Sequence, residues 1–505
     1  MASPRLRAPA GVAIVRNWTV SPSILFLVLF VLSRLAVAAL GIAPDPDVVE
    51  HHWQHLDLAL LASDPLGSLW NLHAQPPLWN GFLAAVVRVV GPDGAAVTSA
   101  IHMIHIALSA GAGVMILSAL RKLSFPPFAA VAVTLAVLCS PNVIYFEAIA
   151  FYPHLTFFLV TLLVFFLLKV EPAHFRRFSS RPNALDACLV AFSDGEPVPG
   201  PPENALGGKL WPVAGALCVL VALSWTWAIF HPAFVALFAV ALVGWSRGWR
   251  RPGRGAFLMV VAAVAISALP TIKNAVMFGL PSASGWIGLN LAQTAPGGQS
   301  GDLARCDFAA AHQASVAEGA PETGHPVLTR AWKSSGEPNY NHVGLVERSR
   351  DCLALSKDAI LADLPGWTGE RLAALLGSHQ VLASDYDVDP LGWDRVMGPM
   401  ERAHENLGMA GRAAMILWVL ALWWFAVKNI RTNPHLYLLL LLFMGYFTLT
   451  AHLLNGGEQA RMRYTIEPIY LFLTAGLLAS AMRRLRPAAY NPAAVAIQKV
   501  ASDAR

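Results

Sequence analysis

Apolar windows recur ten times along this chain of 505 residues, and most reach the roughly 20 residues that a helix needs to cross a bilayer. Only 13% of the residues are charged, whereas soluble proteins carry about a quarter. The sequence therefore predicts an all-α polytopic membrane protein with about ten transmembrane helices. We place these helices at 22–42, 97–120, 126–144, 152–169, 210–230, 233–246, 255–275, 409–427, 434–453 and 464–482.

Basic residues are grouped beside these windows, which argues against a nucleic-acid partner despite the formal charge of +5. Most of the groups fall on alternate connections between windows. By the positive-inside rule those connections and both termini face the cytoplasm. We expect a multi-pass integral protein of the bacterial inner membrane, with its site on the outer face. The first window has no small-residue cleavage site, so we expect it to remain as an uncleaved helix.

The windows divide the chain into three parts. Residues 1–275 form an N-terminal transmembrane module, and 409–505 form a C-terminal transmembrane module with a cytoplasmic tail. Between them, 276–408 are long enough for a small extracytoplasmic α or α+β domain, which we call the outer segment. We call residues 43–96 the first outer loop.

The outer side carries further signals. Helical periodicity predicts helices at 343–364 and 366–380, and an apolar stretch at 76–91 is too short to span and predicts an amphipathic surface helix. Cys306 and Cys352 are the only cysteines of the outer segment. Since disulfides persist outside the cytoplasm, we expect the two to pair.

The first outer loop concentrates carboxylates directly after the first apolar window. Asp45, Asp47 and Glu50 lie within six residues of one another. A carboxylate held at a membrane interface is partly desolvated, which raises its pKa toward that of a general base. The alternative is structural, with Asp47 as the N-cap of a short surface helix.

Histidines form a second group in the same loop. Asp47, His51 and His55 are spaced by four residues, which would place them on one face of a helix. This spacing suits a divalent metal, yet the chain has no HExxH motif. The other interpretation is hydrogen bonding to a sugar or phosphate, with no cofactor.

Two arginines depart from the charge rule. Arg461 and Arg463 lie in a short outer connection that also contains a glycine pair and Glu458. Arginine offers a planar fork of donors that suits phosphate, and Lys273 could supply a further cation. The alternative is a structural ion pair with Glu458 or Glu467.

Two charges lie within the predicted membrane helices or at their outer ends. Arg34 and Glu147 should each have a partner, because an unpaired charge at that depth costs several kcal/mol. We predict that Arg34 pairs with a carboxylate of the first outer loop, and snorkelling to the lipid headgroups is the alternative.

Several motifs resemble those of the GT-C glycosyltransferases. They are the acidic first outer loop ending in HAQPPLW (73–79), SPNVIYFEAIAF (140–151) and GGEQARMRYTIEP (456–468). The resemblance is to the family-39-like branch that includes protein O-mannosyltransferases, aminoarabinose lipid A transferases and rhizobial galacturonosyltransferases. It covers roughly 20–280 and 409–482, without the outer segment.

The resemblance implies a catalytic base and a donor. Asp47 matches the base by spacing, although Val48 follows where an acidic residue is usual, so Asp45 or Glu50 remain candidates. The implied donor is a polyprenyl-phosphate-linked sugar whose phosphate faces the two arginines. The candidate substrate-binding residues are Arg461, Arg463, Lys273, Glu147, Arg34, His51, His55, His73, Gln75 and Glu458.

These observations predict an inverting membrane glycosyltransferase that acts on the outer face of the membrane. Its partners would be the lipid-linked donor, a lipid, glycan or protein acceptor, and membrane lipid. Two alternatives stay open: a transporter or flippase of lipid-linked substrates, and a metal-dependent membrane hydrolase.

Overall fold

The computed structural model describes residues 21–170, 210–246, 254–298, 300–319, 323–377, 390–454 and 459–485. Within these ranges the chain is helical, and its β pairing is limited to two isolated bridges. The prediction of an all-α polytopic membrane protein is confirmed. The helix arrangement follows from the apolar windows and from the prolines that begin many of the helices, since proline is well suited to the first helical position.

The first nine helices are α1 (Pro22–Ala39), α2 (Val48–His51), α3 (Leu58–Ser63), α4 (Pro65–Trp70), α5 (Pro77–Val90), α6 (Gly94–Lys122), α7 (Pro127–Leu138), α8 (Pro141–Ala148) and α9 (Pro153–Lys169). The next three are α10 (Trp211–Thr226), α11 (Pro232–Ser246) and α12 (Arg254–Phe278).

The outer segment contains α13 (Ile287–Ala292), a 3-10 helix (Gly301–Cys306), α14 (Phe308–Ala317), α15 (Pro326–Thr329), α16 (Gly344–Ala362) and α17 (Leu364–Gly377). The C-terminal helices are α18 (Trp393–Asn429), α19 (Pro434–Leu454) and α20 (Gln459–Leu485). The two helices predicted from periodicity are thus confirmed as α16 and α17. Helix α18 runs through the predicted boundary at 408 without a break.

Each of the ten predicted windows coincides with a helix or with the α7–α8 pair. Among the described helices, α1, α6, α12, α19 and α20 are long and apolar enough to cross a membrane alone. The α7–α8 pair makes a sixth span if it counts as one, whereas α9, α10, α11 and the apolar end of α18 are shorter. The ten-span topology therefore stays a prediction.

The window predicted as one helix at 126–144 is broken. Helices α7 and α8 meet at an angle of 54°, and Pro141 begins the second of them. Proline has no N–H for the preceding turn, so α7 ends before it. The bend carries Glu147 and residues 149–152 into the interior, where all are buried.

Two hydrophobic cores hold the molecule together. The first joins α1, α5, α6, α7 and α8 to the first outer loop and to the outer segment. The second joins α9, α10, α11, α18, α19 and α20. The amphipathic helix predicted at 76–91 is α5, which buries Trp79 and Leu83 and exposes Val89, and its depth in the membrane stays a prediction.

The outer segment is docked on the first outer loop by buried polar contacts. Asp57, the N-cap of α3, accepts hydrogen bonds of 2.8 Å from both the backbone N–H and the hydroxyl of Ser334. Lys333 donates to the backbone oxygen of His52 at 2.8 Å. Burial lowers the pKa of Lys333 to about 8, opposed by Glu337 and Asp57.

Asn341 of the outer segment also binds the first outer loop, at residues 71–74. Its side-chain oxygen accepts from the backbone N–H groups of His73 and Ala74 at 2.8 and 3.0 Å, and its amide donates to the oxygen of Asn71. The rings of Trp53 and Trp286 also stack, with centroids 4.8 Å apart. The loop and the outer segment therefore form one folded layer.

The predicted disulfide is present between Cys306 and Cys352, with Cα atoms 5.7 Å apart. It ties the 3-10 helix to α16. Because the bond closes a loop of 46 residues, we expect the Cys306→Ser, Cys352→Ser double variant to lose roughly 3 to 4 kcal/mol of stability in the outer segment.

Hydrogen exchange of the outer segment measures that loss. The matched control is Cys218→Ser, which removes a free cysteine far along the chain from the outer segment and should leave the exchange of α16 unchanged. Mass spectrometry that finds both outer thiols free in protein from an oxidising compartment would contradict the pairing.

Candidate active site

The three candidate carboxylates line the start of the first outer loop. Asp47 is exposed and precedes α2, but its side chain makes no capping hydrogen bond. Asp45 is half-buried and accepts from the backbone N–H of Asp47 at 3.0 Å. Glu50 is half-buried, with its carboxylate against Gly94. Asp47 is thus the carboxylate most open to an acceptor.

The prediction of one helical face with Asp47, His51 and His55 is wrong. Helix α2 ends at His51, so the spacing of four does not continue. His51 is exposed and lies 3.8 Å from Glu337, whereas His55 is buried and contacts the backbone oxygen of Val49. Among the described residues, no group of three metal-ligating side chains is assembled.

His52 and His55 follow the carboxylates in the first outer loop and form a stacked pair, with ring centroids 4.6 Å apart. Burial lowers the pKa of His55 to about 3, opposed by its hydrogen bond to Val49. The pKa of His52 is lowered by burial and then by His55, Lys333 and Arg461. Both rings are therefore neutral at pH 7 and serve as hydrogen-bonding groups rather than charges.

Arg461 is a buried residue in the first turn of α20. Its guanidinium carbon lies 5.6 Å from the ring centroids of Phe151 and Tyr152 and 5.2 Å from that of Trp227. We call these three rings the aromatic cage. The arginine is only 3% exposed, and His52 packs on the cage with 4.1 Å between its ring and Phe151. The cage thus connects the arginine to the carboxylate loop.

Arg463 has a different environment. Its guanidinium lies 3.5 Å from Glu467, one turn later on α20, and Glu467 in turn accepts from the side chain of Asn142 at 3.1 Å. For Arg463 the structure thus contains the ion pair with Glu467 that was the alternative interpretation of the two arginines. Glu458 and the glycine pair before it lie outside the described residues.

Arg34 and Glu147 are paired with one another. The carboxylate accepts two hydrogen bonds from the guanidinium, of 2.6 and 3.0 Å, and Arg34 also donates to the backbone oxygen of Leu138. The expectation that each charge has a partner is confirmed. The predicted partner of Arg34, a carboxylate of the first outer loop, is wrong, because the bend at Pro141 brings Glu147 back to α1.

Three further candidates hold the fold together. Lys273 donates to the backbone oxygen of Leu72 and lies 5.8 Å from the ring of Phe278. His73 is fully buried and contacts Asn341, and burial lowers its pKa to about 3. Gln75 is also buried. None of these contacts reaches the aromatic cage.

The cage itself was missed by sequence reasoning. Phe151 and Tyr152 precede a proline that begins α9, a local sign of a chain turn, but nothing in the sequence connects them to Trp227 or to Arg461. An apolar groove was missed as well. Its volume is about 80 Å³, and it runs between α6, α7, α9 and α20. Its lining includes Ile116, Leu120, Val133, Val164, Leu471 and Phe472.

Comparisons with known proteins give one structural similarity. No family model and no curated protein matches the chain. A solved structure of the archaeal oligosaccharyltransferase AglB from Archaeoglobus fulgidus, with an inhibitory peptide and a dolichol-phosphate, matches at 11% identity and a TM-score of 0.40. The match covers 91% of this chain and 51% of that one, so this chain spans about half its length.

Proposed function

We propose that this protein is a GT-C-type membrane glycosyltransferase that moves a sugar from a polyprenyl-phosphate donor to an acceptor hydroxyl on the outer face of the membrane. The observation that carries the proposal is the buried guanidinium of Arg461, held in an aromatic cage that contacts His52 of the first outer loop. The ring of Phe151 contacts both the guanidinium of Arg461 and the ring of His52, so the cation is connected to the loop that carries Asp47. A cation and a base suit the two ends of a glycosyl transfer. The acceptor is a lipid, a glycan or a protein.

The donor phosphate fits Arg461 best. The three rings hold the guanidinium by cation–π contacts, which are strongest where water is excluded. A planar fork so oriented is suited to bidentate contact with phosphate oxygens. Arg463 is engaged by Glu467 and helps to fix α20.

The lipid tail fits the apolar groove. Pro468, which lines the groove, follows Arg461 by seven residues on α20, roughly 10 Å along the helix. A phosphate at Arg461 and an isoprenoid chain in the groove would therefore lie along the same helix. The groove is lined almost entirely by aliphatic and aromatic side chains, as a hydrocarbon tail requires.

The chemistry is a displacement with inversion. The acceptor O–H loses its proton to the carboxylate of Asp47 while its oxygen bonds to the anomeric carbon. The bond between that carbon and the phosphate oxygen breaks, and its electron pair stays on the phosphate, where Arg461 stabilises the added charge. The neutral rings of His52 and His55 add no competing positive charge.

The direct test supplies purified protein with short-chain polyprenyl-phosphate hexoses and candidate acceptors, and measures the release of polyprenyl phosphate. We expect release in the wild type, unchanged by a chelator because the mechanism uses no metal. If no hexose donor binds and none is consumed, the donor assignment is wrong. Loss of activity on chelation would instead support a metal-dependent enzyme.

The two arginines should respond differently to lysine. We expect Arg461→Lys to weaken donor binding or slow transfer about ten- to a hundredfold, because lysine keeps the charge but loses the fork. Arg463→Lys should retain most activity, since a lysine can still pair with Glu467. The measurement is competition by polyprenyl phosphate without sugar. Equal losses in both variants, or none in either, would remove Arg461 from the phosphate site.

A further inference from the structure

A buried cluster of three rings lies beside the aromatic cage. His55, Trp79 and His105 come from the first outer loop, α5 and α6. The ring centroid of Trp79 is 5.9 Å from that of His55 and 6.2 Å from that of His105. Their exposed fractions are 3%, 0% and 0% for His55, Trp79 and His105. We call this group the three-ring cluster.

Each of these rings has a buried nitrogen without a hydrogen-bond partner among the described residues. They are Nε2 of His55, Nε1 of Trp79 and Nε2 of His105. A buried polar group that is left without a partner costs about 1 to 3 kcal/mol, so three neighbouring ones are unusual in a folded core. Their presence indicates a site that something polar fills.

The roles of the three nitrogens follow from their other contacts. The Nδ1 atom of His55 faces the backbone oxygen of Val49, and that of His105 faces the oxygen of Glu147. A carbonyl can only accept, so Nδ1 carries the proton in each ring, and in the neutral ring Nε2 is a bare acceptor. The indole N–H of Trp79 can only donate. The cluster thus offers two acceptors and one donor.

A group that matches this set brings two O–H donors and an oxygen that accepts. A vicinal diol of a sugar has both, and so does a water molecule. A metal ion does not match, because the indole N–H of Trp79 can only donate and cannot be a ligand. The position favours the sugar: Phe151 contacts the rings of His55 and Trp79 at 5.9 and 6.4 Å and also forms one wall of the cage around Arg461.

We propose that the three-ring cluster binds two hydroxyl groups of the sugar that the donor carries, one ring away from the arginine that binds its phosphate. This inference rests on the proposed function, because it needs a phosphate at Arg461. It makes His55, Trp79 and His105 determinants of sugar specificity. Donors that lack one hydroxyl of the pair would leave a bare nitrogen and bind less well.

The test compares two ligands on the full-length protein. They are a short-chain polyprenyl-phosphate hexose and the same polyprenyl phosphate without sugar. His105→Phe keeps a ring of similar size but removes the acceptor, and Trp79→Phe removes the donor. We expect each variant to lose roughly five- to thirtyfold in affinity for the hexose donor and to bind the sugar-free phosphate as the wild type does. Retained binding of the sugar-free phosphate also shows that the variant is folded.

The matched control is His102→Phe. His102 lies on the same helix as His105 and also contacts the backbone oxygen of Glu147, at 3.0 Å, but it is not a member of the cluster. It should bind both ligands normally. If His105→Phe loses affinity equally for both ligands, the residue has a structural role. If it loses affinity for neither ligand, water alone fills the site. Either result overturns the inference. A wild type that binds neither ligand would overturn the proposed function itself.

Discussion

Asp47→Asn should lower turnover at least about a hundredfold and leave donor affinity unchanged. General-base catalysis contributes about 10² to 10⁴, and asparagine keeps the shape of the side chain but does not take up the proton. The structure supports this choice, because Asp47 is exposed and its side chain makes no capping bond at α2. Single-turnover transfer with a saturating hexose donor measures the chemical step apart from binding.

The controls come from the same loop. Asp64 caps α4 by accepting from the backbone N–H of Gly67 at 2.9 Å, so Asp64→Asn should leave turnover unchanged. If Asp47→Asn is fully active, the role moves to Asp45 or Glu50. Full activity in all three single variants would exclude a carboxylate base in this loop.

Glu147→Gln should cause the largest loss of stability, about 3 to 5 kcal/mol. The substitution leaves the guanidinium of Arg34 buried beside a neutral amide, and breaking one side of a buried pair is costly for that reason. The contact also joins α1 to the bent α7–α8 pair, so helix packing depends on it. Thermal unfolding in detergent, with retained donor binding at low temperature as a check, measures the change.

A double variant separates charge from packing. Arg34→Met with Glu147→Leu removes both charges and should recover most of the lost stability, because an apolar pair of similar size often replaces a buried ion pair without loss. Glu318→Gln is the matched surface control: Glu318 is 56% exposed, so its pair with Arg348 should be worth at most about 1 kcal/mol. If the double variant is no more stable than Glu147→Gln, the pair has a role beyond charge neutralisation.

The spans were predictable because a membrane helix is a local property of the sequence. Its length and apolarity are set by about 20 consecutive residues, and each of the predicted windows coincides with a helix or with the bent pair. The disulfide was predictable by elimination, since only Cys306 and Cys352 lie in the outer segment. The break at Pro141 has a local signal in the sequence: proline usually begins a helix rather than continuing one.

The site was less predictable because its contacts join distant parts of the chain. The pairing of Arg34 with Glu147 depends on the bend between α7 and α8. The sequence predicted a single helix there and therefore no bend. The predicted helical face is wrong because α2 ends after one turn. A spacing of four residues places side chains on one face only within a continuous helix. The aromatic cage brings together residues from three separate helix ends. A local sequence pattern does not predict contacts between residues so distant in the chain.

The docking of the outer segment on the first outer loop also has a consequence for biosynthesis. The contact of Lys333 with His52 spans 281 residues, and that of Asn341 with His73 spans 268. At about 5 to 20 residues per second, the ribosome needs roughly tens of seconds to supply the partners of the loop. During that time the backbone oxygen of His52 and the backbone N–H groups of His73 and Ala74 lack these partners. The first outer loop therefore reaches its folded form only after α12 and most of the outer segment have been made.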